Sequence, residues 1–473
     1  MARSVANDAR SPLAARPACR YTRSEQAPTL DWRERTTELP APTNRLAELR
    51  SETDQQGANA MYQPKPTKGN TDWFTHDRFG MFIHWGLYAL PARHEWVKNR
   101  EELTDEQYAP YFKYFNPKRF NPDHWADLAQ AAGMKYMVIT SKHHEGFCLW
   151  DSQYNDYKAT NTPWGKDLLG EVVRAFRSRG LKVGFYYSLI DWHHPDFTVD
   201  MRHSQRNHPD RAGLNAGRDM SKYRTYMKNQ VRELLSNFGV IDVIWYDFSY
   251  PGPDGKGRDD WDSEGLETLS RSLQPEIIIN NRLNLPSSAD IYTPEQFQPR
   301  EWVHVDGQPV VWETCQTFSG SWGYHRDEAT WKSPGQLIRM LVNTVSTGGN
   351  LLMNVGPTAL GELDSRAEDA LGVYRDWMAQ HSESIYGCTA STLTPPQDCR
   401  LTQNGDLLYA HIFAYPFRHL HIDDIGERIE YAEFLHDGSE IHFTVDEAGT
   451  ASMQLPVIQP RTEVPVIKLY LKS

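Results

Sequence analysis

One unit recurs along this chain: an amphipathic run of roughly ten residues, a glycine, then a short apolar stretch that halts at a polar side chain. In NPDHWADLAQAAGMKYMVITSKHHEGF the helical spacing covers 122–132, Gly133 ends it, and 135–140 reads as a strand. KDLLGEVVRAFRSRGLKVGFYYSLIDW repeats the plan, with a helix over 168–179, Gly180 as the stop and a strand over 181–188. In YRTYMKNQVRELLSNFGVIDVIWYDF the apolar run 241–246 ends abruptly on Asp247. GLETLSRSLQPEIIINNR adds a strand over 276–279, and SPGQLIRMLVNTVSTGGNLLMNVGP adds a helix and a strand over 350–355. RFGMFIHWG supplies the first strand, over 79–84.

Helix alternating with a short apolar strand is the signature of a parallel sheet with helical crossovers. An open doubly wound sheet and a closed barrel both satisfy it. No glycine fingerprint for a dinucleotide follows an early strand. Polar residues instead follow strand after strand: His84, His143 and His144, Asp191, Asp247, Arg282. A barrel accounts for this, because all its strand ends meet at one mouth. The expected fold is therefore α/β, a (β/α)8-like TIM barrel with room for irregularity, over residues 63–386. From 387 to 473 the pattern changes to short alternating segments with Asp-Gly turns, such as RIEYAEFLHDGSEIHFTV, and predicts an antiparallel β-sandwich. Residues 1–62, rich in Ala, Arg, Ser, Pro and Glu, read as a loosely ordered lead-in.

Composition narrows the partner. A net charge of -12 gives no general attraction to nucleic acid or to anionic membrane. No run of about 18 apolar residues offers a membrane span. The 15 Trp and 23 Tyr exceed what packing needs and suit flat sugar faces as well as cores. Five Cys without metal-ligand spacing, an odd number, read as reduced thiols of a cytoplasmic enzyme.

Several residues can carry chemistry. Asp247, at the end of a core strand, can be a nucleophile, a base, a metal ligand or a hydrogen-bond acceptor that stabilises the fold. His143 and His144 are neighbours on an extended segment and point to opposite faces, which makes a poor metal clamp. On a turning loop both can bond a polyhydroxylated ligand. Trp85, after His84, is either barrel filler or a sugar platform. Two glutamates qualify as a general acid: Glu295 in TPEQF, and Glu313 in VWETCQTFSGSWGY, between Trp312 and Trp322. Spacing does not separate them. The acidic run GPDGKGRDDWDSE does not fit a calcium loop and reads as an exposed loop.

RFGMFIHWGLYALPARHEWV, WADLAQAAGMKYMVITSKHHEGFCLWDS, GLKVGFYYSLIDW, IDVIWYDF, TPEQF and WETCQTFSGSWGY together resemble the retaining alpha-L-fucosidases of glycoside hydrolase family 29. The resemblance covers most of 72–357. It implies a barrel followed by a β-sandwich, no cofactor and no metal. It implies that Asp247 is the nucleophile, with Glu295 as acid/base and Glu313 as the second candidate. It implies a fucose pocket shaped by His84, His143, His144, Trp245 and one of Tyr186 and Tyr187, with Arg282 bonding the sugar and Trp85 and Trp322 nearby. The expected ligand is a fucosylated oligosaccharide or glycoconjugate, with a homo-oligomer compatible. The alternatives are a weakly catalytic fucose-binding relative and a retaining glycosidase for a related sugar. Family segments often read aspartate-glycine at the nucleophile, whereas here Phe248 follows Asp247 and the loop after it is long.

Overall fold

The computed structural model describes residues 63–286 and 289–472, which fall in a single compact unit. The lead-in expected over 1–62 lies outside the described residues. Seven parallel strands form the main sheet among the described residues: β1 (Phe79–Ile83), β2 (Tyr136–Lys142), β3 (Lys182–Ser188), β4 (Val243–Asp247), β5 (Ile278–Ile279), β6 (Glu313–Thr317) and β7 (Asn350–Val355). Their order is β5-β4-β3-β2-β1-β7-β6.

The two edges of this sheet are joined by an extended segment, 290–296. Single parallel bridges tie Ile291 to Asn280 on one side, and Tyr292 to Trp312 and Glu295 to Cys315 on the other. The ring closes with this segment in the eighth place. It has few ladder bonds, and a buried side chain holds it instead. The Asp290 carboxylate accepts the backbone N–H groups of Lys68 (2.8 Å), Gly69 (2.9 Å) and Ile279 (2.9 Å), and Nη2 of Arg271 donates to it at 3.0 Å. Four charge-assisted bonds satisfy a carboxylate that would otherwise be costly to bury.

The helices arise where the periodicity places them: α1 (Pro122–Ala131), α2 (Leu169–Arg177), α3 (Met220–Asn237), α4 (Ser263–Leu273), α5 (Pro334–Ser346) and α6 (Ser365–His381). Asn121 caps α1 by accepting from His124 N, with Pro122 in the first turn. Ser333 and Gln336 form a capping box on α5. Gly133 and Gly180 adopt φ of 83° and 75°, the left-handed exit that stops a helix without a Cβ penalty. Among the described residues, neither the eighth segment nor β6 is preceded by a regular α-helix. Between them and β5 lie a 3-10 turn (Asn281–Leu283) and a two-residue-stranded hairpin.

Strand alternation sorts the core into two layers. Phe82, Tyr136, Val138, Tyr186, Val243, Trp245, Ile278, Ile291, Cys315 and Leu352 fill the barrel. Met81, Ile139, Phe185, Tyr187, Ile244 and Tyr246 face the helices. Burying each large apolar side chain contributes about 1.5–3 kcal/mol, so parity is strongly fixed. Beyond α6, β8 (Thr389–Ala390), β9 (Cys399–Asn404), β10 (Leu407–Ile412), β11 (His419–Ile422), β12 (Ile429–Phe434), β13 (Phe443–Val445), β14 (Ala451–Gln454) and β15 (Val466–Leu471) form two antiparallel sheets, ordered β8-β9-β10-β15-β12 and β11-β14-β13. They share a core of Leu401, Leu408, Ile422, Phe434, Met453 and Leu469. Arg339 on α5 donates to the Phe413 carbonyl at 2.7 Å, and Trp377 on α6 donates to that of Val464 at 3.2 Å, so this layer backs the late helices.

Candidate active site

The C-terminal ends of β1 to β5 and the eighth segment open on one cup. Asp247 is the last residue of β4, on the same face as Val243 and Trp245, and only 8% exposed. Register pairs Trp245 with Tyr186 on β3, and their rings stack at 5.7 Å. The Tyr186 hydroxyl donates to Asp247 Oδ2 at 2.7 Å. Arg282, in the 3-10 turn after β5, donates through Nη1 to Asp247 Oδ1 at 3.0 Å and through Nη2 to Glu295 Oε2 at 2.9 Å. Its guanidinium carbon lies 4.9 Å from the Trp245 ring centre. One planar cation therefore holds both carboxyl groups. The Asp247 side chain is 11% exposed and that of Glu295 44%, so one is sheltered and the other faces solvent.

Burial pushes the Asp247 carboxyl up to about 6. The Arg282 charge opposes the rise, Glu295 adds to it, and the Tyr186 hydroxyl opposes it.

Three histidines line the opposite side. The chain leaves extended geometry after Lys142 and turns over His143 to Gly146, with Gly146 N donating to His143 O at 3.0 Å. The turn brings the two adjacent rings within 4.0 Å, so both reach the mouth rather than opposite faces of a strand. His84 Nδ1 lies 2.7 Å from Asn354 Oδ1. Asn354 commits its amide N–H to the Trp322 carbonyl, so its oxygen accepts and His84 carries its proton on Nδ1. His144 Nδ1 lies 2.6 Å from Ser188 Oγ, whose proton goes to the Ile190 carbonyl, so His144 is also protonated on Nδ1. Each of these two rings turns an Nε2 lone pair to the cup. His144 Nε2 is 3.9 Å from Asp247 Oδ2, and a ligand hydroxyl between them can donate to either. Desolvation lowers the pKa of all three histidines, that of His143 to about 3, and keeps the rings neutral.

Trp322 stands 5.2 Å from the His84 ring and 5.9 Å from Phe82, completing an aromatic wall with Trp245.

Four residues that the sequence offered for the mouth lie elsewhere. Tyr187 has the opposite parity to Tyr186, and its hydroxyl donates to Gln230 on α3 at 2.8 Å. Trp85, opposite in parity to His84, donates to the Thr358 carbonyl at 3.0 Å and stacks on Phe120 in the helical layer. Glu313 does point inward, but it begins β6 and so lies towards the barrel floor. There it accepts from the Tyr136 hydroxyl at 2.5 Å and Trp245 Nε1 at 3.2 Å, and burial pushes it up to about 7. Asp191 is drawn into the outer layer by a buried ion pair with Lys142 at 3.0 Å.

Several residues at the cup carry no role predicted from sequence. Trp96 packs on His144 (4.9 Å), Trp192 (5.3 Å) and Phe248 (5.3 Å) as an aromatic rim. Phe248 holds φ at 85°, a conformation costly for a bulky residue. Its ring packs on His144 and Tyr250, beside the residue proposed from sequence as nucleophile. Glu95 accepts Gly323 N at 2.8 Å, and burial pushes it up to about 7. The available signal was a carboxylate-tryptophan pair in the polar, aromatic stretch after β1.

The chain is similar to proteins of known family. The family model for alpha-L-fucosidase matches residues 47–383. Human plasma alpha-L-fucosidase is 32% identical over 384 residues, covering 73% of this chain and 76% of that protein. The structure of alpha-L-fucosidase isoenzyme 1 from Paenibacillus thiaminolyticus superposes with a TM-score of 0.81 at 44% identity, covering 85% of this chain and 99% of that one. A family 29 enzyme from Bacteroides thetaiotaomicron, trapped as a covalent intermediate with 2-fluoro-fucosyl fluoride, gives a TM-score of 0.76 at 27% identity, covering 87% and 99%. The chain belongs to the alpha-L-fucosidases of glycoside hydrolase family 29.

Proposed function

We propose that Asp247 and Glu295 are the nucleophile and the acid/base of a retaining, exo-acting alpha-L-fucosidase. The observation that carries the assignment is the single guanidinium of Arg282 that gathers both carboxyl groups at the mouth. That arrangement suits the separation of about 5 to 5.5 Å used by retaining glycosidases. An Asp247 oxygen bonds to the anomeric carbon as the glycosidic C–O bond breaks, and the departing oxygen takes the Glu295 proton. A water oxygen then attacks the same carbon, Glu295 takes its proton, and the ester to Asp247 breaks. Two inversions leave the configuration retained.

The remaining residues bind and orient. His84 and His144 accept from sugar hydroxyls through Nε2. The wall of Phe82, Trp245 and Trp322 suits the C6 methyl of a 6-deoxy sugar. One buried methyl is worth roughly 1 kcal/mol, a modest preference that exclusion of a 6-hydroxyl would have to extend. The expected ligand is the terminal fucose of an oligosaccharide or glycoconjugate. Four described cysteines, Cys148, Cys315, Cys388 and Cys399, are buried free thiols, which supports our inference of a reducing, cytoplasmic setting.

Wild type should release L-fucose from an aryl alpha-L-fucoside as the alpha anomer, and Asp247→Ala should release none. 2-Fluoro-fucosyl fluoride should label the peptide containing Asp247. Full activity of the Ala variant, or a label on another residue, would overturn the assignment.

A further inference from the structure

His143 differs from the two histidines beside it. His84 and His144 have their Nδ1 protons committed to acceptors. The Nδ1 of His143 is buried without a hydrogen-bond partner among the described residues, and so are both carboxyl oxygens of Glu145. These orphaned groups face one another: His143 Nδ1 lies 3.5 Å from Glu145 Oε2. Native interiors rarely leave such groups unpaired, and here each supplies what the other lacks.

Among the described residues no Lys or Arg forms an ion pair with Glu145, although Lys98 and Lys142 are near enough for their charges to act on it. The turn after β1 presses Gly86 and Tyr88 against it, and a Cβ on Gly86 would come within 2.9 Å of Glu145 Oε1. Tyr88, Tyr108 and Tyr157 all feel its charge, and Glu95 acts on Tyr88 as well. Lys98 is engaged by Asp105 at 2.7 Å, and Lys142 by Asp191 at 3.0 Å. A lone carboxylate in this space would be expensive. Burial accordingly pushes Glu145 up to about 8, and burial holds His143 down to about 3. At neutral pH the pair is a carboxylic acid with one O–H to give and an imidazole with one lone pair to receive it.

We propose that Glu145 is a positioning residue: its carboxylic O–H donates to Nδ1 of His143 and fixes the ring as the tautomer with its proton on Nε2. The cup then presents two acceptors, His84 and His144, and one donor, His143. A ligand must match that polarity with hydroxyls that give to the first two and an oxygen that receives from the third. When Glu145 ionises, its oxygens become acceptors only. The proton of His143 moves to Nδ1, and the donor facing the sugar is replaced by a third lone pair. The tautomer assignment stands on the free protein; its effect on the sugar rests on the function proposed above.

The test is a two-bond 1H–15N correlation on 15N-histidine-labelled enzyme between pH 6.5 and 9.5, with His143 assigned by its loss in His143→Asn. Wild type should show the Nε2–H pattern at pH 6.5 and exchange its two nitrogen shifts as pH rises through about 8. Glu145→Gln, which cannot ionise, should show no exchange over that range. KM for an aryl fucoside should rise several-fold across the same interval in wild type, with a smaller change in kcat, and stay level in the Gln variant. An Nδ1–H pattern already at pH 6.5, a wild-type spectrum constant to pH 9.5, or the same exchange in Glu145→Gln would overturn the proposal. If Glu145→Gln does not fold, the wild-type titration decides alone. Absence of fucoside turnover would count against the proposed function and leave the spectral result standing.

Discussion

Replacing Arg282 with Met should move the acid limb of the pH profile upward. Nη1 sits 3.0 Å from Asp247 Oδ1, which puts the charge centres about 4 Å apart. At an effective dielectric of about 20 that pair interacts by about 4 kcal/mol, an upper bound near 3 pH units at 1.36 kcal/mol per unit. Arg282 is 20% exposed, and water reduces the effect. Removing the cation also leaves Asp247 and Glu295 to share a proton. A shift of about one to two units is expected. The sign follows from the mechanism. The nucleophile works as a carboxylate, the cation favours that form, and its removal favours the protonated one. The limb set by a group near 6 in wild type should therefore rise to about 7–8. The assay is kcat/KM against pH with an activated aryl fucoside whose leaving group needs little protonation, which keeps Glu295 out of the limb. A uniform fall at every pH would show that Arg282 only binds sugar. An unmoved limb, or one displaced to lower pH, would refute the reasoning.

Other outcomes separate the remaining assignments. Glu295→Gln should cost about 10²–10⁴-fold in kcat/KM on a fucoside with a poor leaving group and far less on an activated one, whereas Glu313→Gln should keep the ratio of the two rates; steady-state kinetics on both substrates checks this. Asp290→Ala should destabilise the fold by about 3–5 kcal/mol, because three backbone N–H groups lose their shared acceptor while Arg271 keeps Glu267, and urea unfolding reads it. Thermal stability should peak slightly on the acid side of neutrality. Glu145, Glu95, Glu313 and Asp247 have pKa values raised by folding, to about 8, 7, 7 and 6, so their contribution is full below the unfolded carboxyl range and is lost as pH rises through those values. His94, His143, His203 and His411 are held down to about 3, so theirs is present above the unfolded value of 6.5 and lost as pH falls below it. A melting temperature that climbs steadily from pH 6 to pH 9 would contradict this.

The regular part of the barrel was legible because burial enforces period two on strands and 3.6 on helices. The same parity separates Tyr186 from Tyr187 and His84 from Trp85, once Asp247 and Trp245 are placed inside. Glu313 misled for another reason. It has the inward parity of a site residue, but depth along a strand is invisible to alternation, and it opens its strand where Asp247 closes one. The stretch between β5 and β6, which has no regular α-helix among the described residues, carries no period, because a single carboxylate replaces a hydrogen-bonded ladder. Trp96 and Phe248 sit on loops, where aromatic character alone does not tell rim from core. The paired histidines looked like opposite-facing neighbours until the turn after Lys142 brought their rings together.

That segment with Asp290 at its root has a consequence for how such an enzyme changes. One member of the reactive pair is riveted into woven backbone, where a shift of one residue would turn it away from the cup. The other sits on a segment held by isolated bridges at Ile291, Tyr292 and Glu295, and the chain just beyond Glu295 can vary while those bridges keep the barrel closed. Leaving-group preference should therefore be graftable: transplanting residues 296–300 from a relative, with Asp290 and Glu295 kept, should alter which aglycones depart easily and leave recognition of the sugar itself intact.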